Sequence, residues 1–341
     1  MKHPRKRLAL AAGTIVSAIF LVLAFRGLQP DKFWSSLAEV SLPWLLVAIL
    51  VYFAAVVVIA LRWQFLLRAV KFVPLVALTK LVFIGYMGNN VYPLRAGDAL
   101  RILLLRRNHD VPLLRSTTIV AIERMFDGCV MLTFVLFSLL LIEVESSEVE
   151  TIVRISAPVF AGALLLALAL AAKPNLLRRA THLALKILPH RIGAPISGYA
   201  EEIIAGLEGL RSPVHLFGAL ISSFITWAIE AATYSFVMRA FDLELNYAVA
   251  LLLVGAVNLA GIIPASPGQV GVNEFVVISI LTALGIAAPL ATAYAVVVHI
   301  AIWLPITIAG FALLVKQGLG WADIGRAKDI ESAEALPVEA G

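Results

Sequence analysis

Residues 43–61 read PWLLVAILVYFAAVVVIAL, an unbroken run without a charged side chain. Bilayer crossing takes roughly 20 apolar residues as a helix, so this run is read as a membrane span. Working outward from it, comparable apolar stretches fall at 8–25, 72–93, 117–142, 155–172, 214–238, 246–263, 272–285 and 289–315. The composition agrees: 61% of the 341 residues are hydrophobic and 14% charged, with a mean hydropathy of +0.95. Soluble domains average about 45–50% apolar and 25% charged, so a water-facing surface cannot be built from this chain. The expected fold class is an all-α polytopic membrane protein of about six to eight transmembrane helices.

The start of the chain, with Lys2, Arg5, Lys6 and Arg7 ahead of an apolar stretch from Leu8, resembles a signal peptide. The stretch is longer than a usual signal core and no small-x-small cleavage site follows it clearly, so it is read as a retained first helix. The single cysteine, Cys129, lies inside an apolar run, which excludes an internal disulfide and a cysteine-based metal site. The six histidines show no H-E-x-x-H spacing. No metal and no cofactor is expected. The net charge of +5 is accounted for by loops meeting anionic head groups, and nucleic acid is not an expected partner.

Charges between the runs set an orientation. The segment 62–116 carries nine Lys and Arg against Asp98 and Asp110, and 173–213 carries six bases against three acids. The link after 117–142 is acidic, with Glu143, Glu145, Glu148 and Glu150, as is the short link at Asp242 and Glu244. Basic loops stay in the cytoplasm, which puts both termini inside. Spans are then expected near 8–25, 43–61, 117–142, 155–172, 214–238 and 289–315. Both flanks of 72–93 are basic, so 72–105 is expected to enter and leave on the cytoplasmic side as a re-entrant or broken segment. The pair 246–285 reads equally as two spans or as one hairpin. Leucines and isoleucines among basic residues make 175–210 an interfacial amphipathic stretch. The membrane domain thus covers 1–316, and 317–341 is expected to be a disordered cytoplasmic tail.

Four clusters could carry chemistry. In the first, Asn89, Asn90, Arg95, Asp98 and Arg101 surround the break at Pro93 and Gly97. An arginine pair beside unwound backbone suits a phosphate, because guanidinium offers bidentate donors; a basic cytoplasmic loop is the plainer reading. In the second, Glu123, Arg124 and Asp127 sit inside an apolar span, with the two acids four apart on one helix face. Intramembrane charges face a bundle interior or a polar cavity, where a structural ion pair with Arg95 or Arg101 is the alternative to a functional role. The third is Glu230, on a polar stripe with Thr226 and Thr233 at helical spacing. The fourth runs from Asn258 to Glu274 and holds Ser266, Asn273, and the helix breakers Pro264, Pro267, Gly268 and Gly271. Pro93-x-x-x-Gly97 and Pro264-x-x-x-Gly268 share a spacing, and broken segments at matching positions point to an inverted-repeat transporter.

Three of these motifs, N-x-x-P-x-R-x-G-D-x-x-R (Asn90–Arg101), E-R-x-x-D (Glu123–Asp127) and P-x-S-P-G-x-x-G-x-x-E (Pro264–Glu274), resemble the lysylphosphatidylglycerol-synthase transmembrane-region family, also called flippase-like or UPF0104 membrane proteins. The resemblance covers roughly residues 5–316. It implies a membrane domain that moves lipids across the bilayer or assists enzymes that modify them. The aminoacyl-transferase domain of the large members is not expected here, so synthase activity is not carried over. Asp98 stands where many relatives carry Glu, and Gln269 where a further glycine is common.

The expectation is a lipid translocase of a bacterial inner membrane, for an anionic phospholipid or a polyprenyl-linked lipid, rather than an enzyme. Its head-group residues would be Asn89, Asn90, Arg95, Asp98, Arg101, Glu123, Arg124, Asp127, Glu230, Ser266, Gly268, Asn273 and Glu274, with none catalytic. No G-x-x-x-x-G-K-[ST] occurs, so transport would be facilitated or driven by an ion gradient. The alternatives are a component of lipid-linked glycosyl transfer, partnered by a lipid-modifying or glycosyl transferase, and a proton-coupled small-solute transporter with Glu230 as proton carrier.

Overall fold

The computed structural model describes residues 4–26, 28–68, 70–92, 96–142, 212–261 and 266–317, with scattered positions between 151 and 207. Ten helices can be bounded among the described residues: α1 (Pro4–Ala24), α2 (Pro30–Ala38), α3 (Leu42–Leu67), α4 (Leu75–Val91), α5 (Ala96–His109), α6 (Leu113–Leu139), α7 (Pro213–Ala240), α8 (Tyr247–Ala260), α9 (Val272–Ala283) and α10 (Ala288–Lys316). No strand occurs among those residues. The expected span 155–172, the amphipathic stretch 175–210, the acidic link 143–150 and the tail beyond 317 lie wholly or largely outside them.

Proline stands in the first turn of α2, α3, α7 and α10, where its missing N–H removes no helix bond. By length and composition α3, α7 and α10 are able to cross a membrane, with mean hydropathies of 2.9, 1.4 and 2.2. At 27 residues α6 matches them in length, but it carries Arg115, Glu123, Arg124 and Asp127. The expected breaks at 72–105 and 246–285 are two helical hairpins, α4–α5 and α8–α9, whose arms pack on each other. Those arms hold 17, 14, 14 and 12 residues. At 1.5 Å per residue each is shorter than the roughly 30 Å hydrocarbon core. The short α2 was not anticipated from the sequence.

The order long helix, short hairpin, long helix therefore occurs twice, as α3–α6 and as α7–α10. The two lead helices, α3 and α7, form the most extensive contact between helices and run antiparallel. At one end the Ser41 N–H donates to the Ala240 carbonyl at 2.9 Å and the Trp44 ring stacks on Phe236. At the other end Phe65 lies against Gly218. Small buried residues (Ala48, Ala55 and Ala60 on α3; Ala219 and Ala231 on α7) line these helices, as close approach in a membrane bundle requires. The hairpins are exchanged between halves: α4 packs on α10 and α8 on α6. Close approach is built into both crossings, since a Cβ on Gly310 would sit 2.4 Å from the Phe83 carbonyl, and one on Gly255 would sit 2.6 Å from Val135. Antiparallel equivalents with exchanged hairpins make this an inverted repeat.

Two apolar clusters form the core. One surrounds α3 and α4, with Ile59, Trp63, Leu78 and Met87, and the other surrounds α8 and α9, with Leu252, Val254, Val277 and Ile280. On α6 the first cluster ends at Phe126 and the second begins at Val130; on α7 they take Ala219 and Trp227 respectively. Glu123 and Asp127, and Ser222, Ser223 and Thr226, sit around these boundaries as a buried polar layer.

Candidate functional site

Three arginines and three carboxylates from three helices close into one network in that layer. Arg62, five residues before the end of α3, is fully buried and donates to both acids of α6: its Nη2 reaches Glu123 Oε1 at 2.6 Å and its Nη1 reaches Asp127. Arg101 on α5 donates from Nη2 to Glu123 Oε2 at 3.0 Å, and its guanidinium lies 4.9 Å from the Trp63 ring centre. Arg124 places Nη2 at 2.9 Å from both oxygens of Asp98. Closer to home, Arg124 Nη1 lies 3.5 Å from Asp127 Oδ2, and Arg101 Nε lies 3.5 Å from Asp98 Oδ1. The α7 side contributes Trp227 Nε1, donating to Asp127 at 2.7 Å, and the Ser223 hydroxyl, 3.3 Å from Arg62. The formal charges balance, which is the condition under which buried ions are tolerated.

The network is closed at one end and open at the other. The Arg62 and Glu123 side chains are 0% exposed, whereas Asp98 is 18% and Arg124 27% exposed. The open end lies beside the tip of the α4–α5 hairpin, where the Asn89 amide reaches Asp98 Oδ1 at 3.3 Å. Gly97 makes this geometry available. A Cβ there would fall 1.7 Å from the Gly85 carbonyl oxygen, so only glycine lets the start of α5 lie against α4.

The tips of the two hairpins meet on one face of α10, presented by His299, Trp303 and Thr307 at four-residue spacing. The Asn90 side-chain amide donates to the Trp303 carbonyl at 3.3 Å and to Thr307 Oγ1 at 2.9 Å, while Trp303 Nε1 donates to the Asn90 carbonyl at 3.3 Å. Gly268, in the 3₁₀ turn Pro267–Gln269, has room for no Cβ because Trp303 Nε1 would lie 2.7 Å away. The Ser266 N–H donates to Ser17 Oγ of α1 at 2.8 Å, which ties the first helix to the second break.

A second acid–base pair stands at the start of α9. Glu274 Oε2 accepts the Gly271 N–H at 2.6 Å at the start of the helix, and its other oxygen contacts His299 Nδ1. Asn273 beside it is buried, and its Oδ1 has no hydrogen-bond partner among the described residues. Glu230 is buried on α7, faces the Asn258 side chain of α8, and lies within electrostatic range of the Tyr234 phenol.

Of the expected head-group residues, the structure gathers Asn89, Asp98, Arg101, Glu123, Arg124 and Asp127 into one place, with Asn90 at the adjoining tip. Gly268 meets the Asn90 tip through Trp303, Glu230 lies within electrostatic range of Asp127, and Ser266, Asn273 and Glu274 lie toward the second hairpin. Arg95, Pro93 and Pro264 lie outside the described residues. Sequence reasoning missed Arg62, counted there among loop bases, although Ala55, Ile59, Trp63 and Leu66 continue the buried face of α3 through it. It also missed His299 and Trp303, whose only signal is a four-residue spacing within an apolar helix. Among the described residues no group of three His, Cys, Asp or Glu side chains is placed to hold a metal ion.

Comparison with known proteins places this geometry in context. The chain is 24% identical over 338 residues to glycosyltransferase AglD of Haloferax volcanii, covering 89% of this chain and 54% of that protein. It therefore spans about half the length of that relative. A UPF0104 membrane protein of Pyrococcus horikoshii is 21% identical over 89% of this chain and 96% of its own length, and one of Methanocaldococcus jannaschii is 22% identical over 89% and 94%. No solved structure matches. The lysylphosphatidylglycerol synthase TM region matches residues 10–310, all but the last turns of the repeated architecture and both motif-bearing hairpins, and the chain is an integral membrane protein of that family.

Proposed function

We propose that this protein is a lipid translocase of a bacterial cytoplasmic membrane, with both termini on the cytoplasmic side. Its substrate would be an anionic phospholipid or a polyprenyl-linked lipid. The observation that carries the reading is the graded burial of the arginine–carboxylate network, sealed at Arg62 and Glu123 and open at Asp98 and Arg124. A lipid phosphate arriving at the open end can replace Asp98 on Arg124 Nη2, since guanidinium donates to carboxylate and phosphate oxygens alike. Asp98 keeps the site charge-balanced when it is empty. The acyl chains remain in the bilayer, so only the head group needs a polar route, and the Ser266–Gly271 turn of the second hairpin offers irregular backbone for it. The test is reconstitution of the purified protein into vesicles carrying labelled phosphatidylglycerol, with the label in each leaflet followed over time. Equal rates for wild type and an Arg124→Ala variant that retains its fold would sink this reading.

A second reading, participation in lipid-linked glycosyl transfer, draws support from the likeness to a protein named as a glycosyltransferase. In that case this chain would work with a lipid-modifying or glycosyl transferase. Lipid extracts from a deletion strain distinguish the two. Disappearance of a glycosylated lipid species favours the second reading, and altered leaflet distribution of an unmodified lipid favours the first.

A further inference from the structure

We propose that Glu274 and His299 form a proton-binding site that drives the translocation step, an inference that rests on the translocase reading above. The inverted repeat is what identifies the pair. In the first half, Asp98 stands two residues past the start of α5 and pairs with Arg124, eleven residues past the start of α6. In the second half, Glu274 stands two residues past the start of α9 and pairs with His299, eleven residues past the start of α10. The links between these helices also match, with a left-handed residue three positions before each long helix, Asp110 (φ 51°) and Gly285 (φ 85°). The two ion pairs are thus equivalent positions of one architecture.

Their chemistry differs in one respect. Guanidinium does not release its proton in a protein, so the Asp98–Arg124 pair stays charged at every physiological pH. Imidazole, in contrast, exists both as the neutral ring and as the imidazolium. The second pair can therefore hold one proton or two, or give its proton up, where the first cannot. At this position the second half carries a titratable cation where the first carries a permanent one.

The surroundings leave the pair free to do this. Among the described residues no permanent cation from a neighbouring helix clamps Glu274. On α3, Arg62 is engaged by Glu123 and Asp127. On α2 and α4, which pack on α10, the charged residues Asp31, Lys32, Glu39 and Lys80 are exposed. On α1, the bases Arg5, Lys6 and Arg7 precede Ser17 by ten or more residues, about 15 Å along the helix. On α10, Lys316 lies at the far end of the helix from His299. On α7, Arg239 lies over the Trp44 and Phe236 rings, His215 lies in the first turn, and Glu230 and Tyr234 are the remaining titratable groups, with the Tyr234 phenol in range of Glu274. On α8, Tyr247 donates to the Ala228 carbonyl at 2.5 Å. Tyr294 of α10 donates to the Tyr234 carbonyl at 3.0 Å. The buried, unpartnered Asn273 Oδ1 adds an acceptor at the same turn.

The pair also has a mechanical connection. His299 shares its helix face with Trp303 and Thr307, which hold the Asn90 tip of the other hairpin. Loss of the imidazolium proton would leave Glu274 a lone carboxylate in a buried site, which is unfavourable. The site must therefore open toward water or rearrange, and α10 carries that change to both hairpin tips at once. Proton binding closes the arrangement again.

The test uses the full chain in phosphatidylcholine vesicles containing labelled phosphatidylglycerol. Wild type is expected to move the label several-fold faster when a proton gradient is imposed. His299→Arg, which rebuilds the second pair as a copy of the first, should still move lipid but lose the response to the gradient. His299→Gln should slow both. A His299→Arg protein that keeps the wild-type gradient response overturns the proposal, as does a wild type that moves lipid at one rate with and without the gradient. If wild type moves no lipid under any condition, the translocase reading fails instead. The proton site is then read directly by infrared difference spectra between acidic and alkaline buffer. A carboxyl band present in wild type, absent in Glu274→Gln and displaced in His299→Arg supports the site, and spectra unchanged by both substitutions overturn it.

Discussion

Asn90 and Trp303 exchange hydrogen bonds in both directions: the Asn90 amide donates to the Trp303 carbonyl and the Trp303 indole donates to the Asn90 carbonyl, each at 3.3 Å. The two residues are 213 positions apart and belong to opposite halves of the repeat. Their link joins the tip of the first hairpin to the helix that also carries His299. Each half is thereby held by a residue of the other, which makes the bundle one mechanical unit.

Breaking that link should loosen both hairpins. Asn90→Ala removes the side-chain half of the exchange and leaves Thr307 Oγ1 without this donor. Net hydrogen-bond contributions of about 0.5–1.5 kcal/mol each predict a loss of about 1–3 kcal/mol. A double-mutant cycle with Thr307→Val, read by thermal unfolding in detergent, should show non-additivity of about 1 kcal/mol. Simple addition of the two effects argues against the contact.

Arg62 should be the most stability-sensitive charge. Arg62→Met leaves Glu123 partly and Asp127 largely uncompensated in a buried layer, a change expected to cost about 3–5 kcal/mol. Arg62→Lys should recover only part, because one ammonium cannot reach two carboxylates in a fixed fork. Unfolding midpoints for both variants, compared with the exposed-residue control Lys80→Met, provide the measurement. A midpoint for Arg62→Met equal to that of the control contradicts the buried network.

The opposite end of the network should behave differently. Arg124→Lys keeps the charge but loses the planar guanidinium that reaches Asp98 through Nη2 and Asp127 through Nη1, so stability should change little while lipid movement falls by roughly tenfold, about 1.4 kcal/mol in barrier height. The informative comparison is activity against unfolding midpoint in one preparation. A variant that loses stability and activity in the same proportion as Arg62→Met removes the distinction drawn between the sealed and open ends.

Packing at the first hairpin admits no side chain at one position. Gly97→Ala introduces a Cβ 1.7 Å from a backbone oxygen, so α5 must move off α4 at a cost of about 1–3 kcal/mol or more. Gly162→Ala is the matched control, since nothing lies within 4 Å of its added Cβ. Expression and unfolding midpoint should separate the two variants, and equal behaviour would falsify the close α4–α5 approach.

Much of the site was legible from residue types alone. Glu123 and Asp127 announced themselves because a charge in an apolar run needs a buried partner, and Arg101 was anticipated as one. The end of α4 before Pro93 and the Pro267–Gly271 turn were legible because glycine and proline limit the backbone locally, whereas Gly97, expected at the break, lies inside α5. Arg62 was not, because a base ending an apolar run looks like any cytoplasmic flank under the positive-inside pattern. His299 and Trp303 were equally silent, since nothing in α10 itself says which residues will face its polar side.

The sequence by itself determined that this chain lives in a membrane and, α2 apart, where the helices bounded above fall. Those properties follow from local physics: hydrocarbon demands runs of apolar residues with internally bonded backbone, and proline and glycine interrupt them. Only the tertiary structure decided that the halves are inverted, that their hairpins are exchanged, and that Arg62 meets residues more than 60 positions away. It alone also set His299 opposite Glu274 in the place where the other half uses an arginine. Pairings of this kind depend on which helix faces cross. In a bilayer that choice rests on close contact between small side chains and on the matching of buried charges, both of which are properties of the assembled bundle.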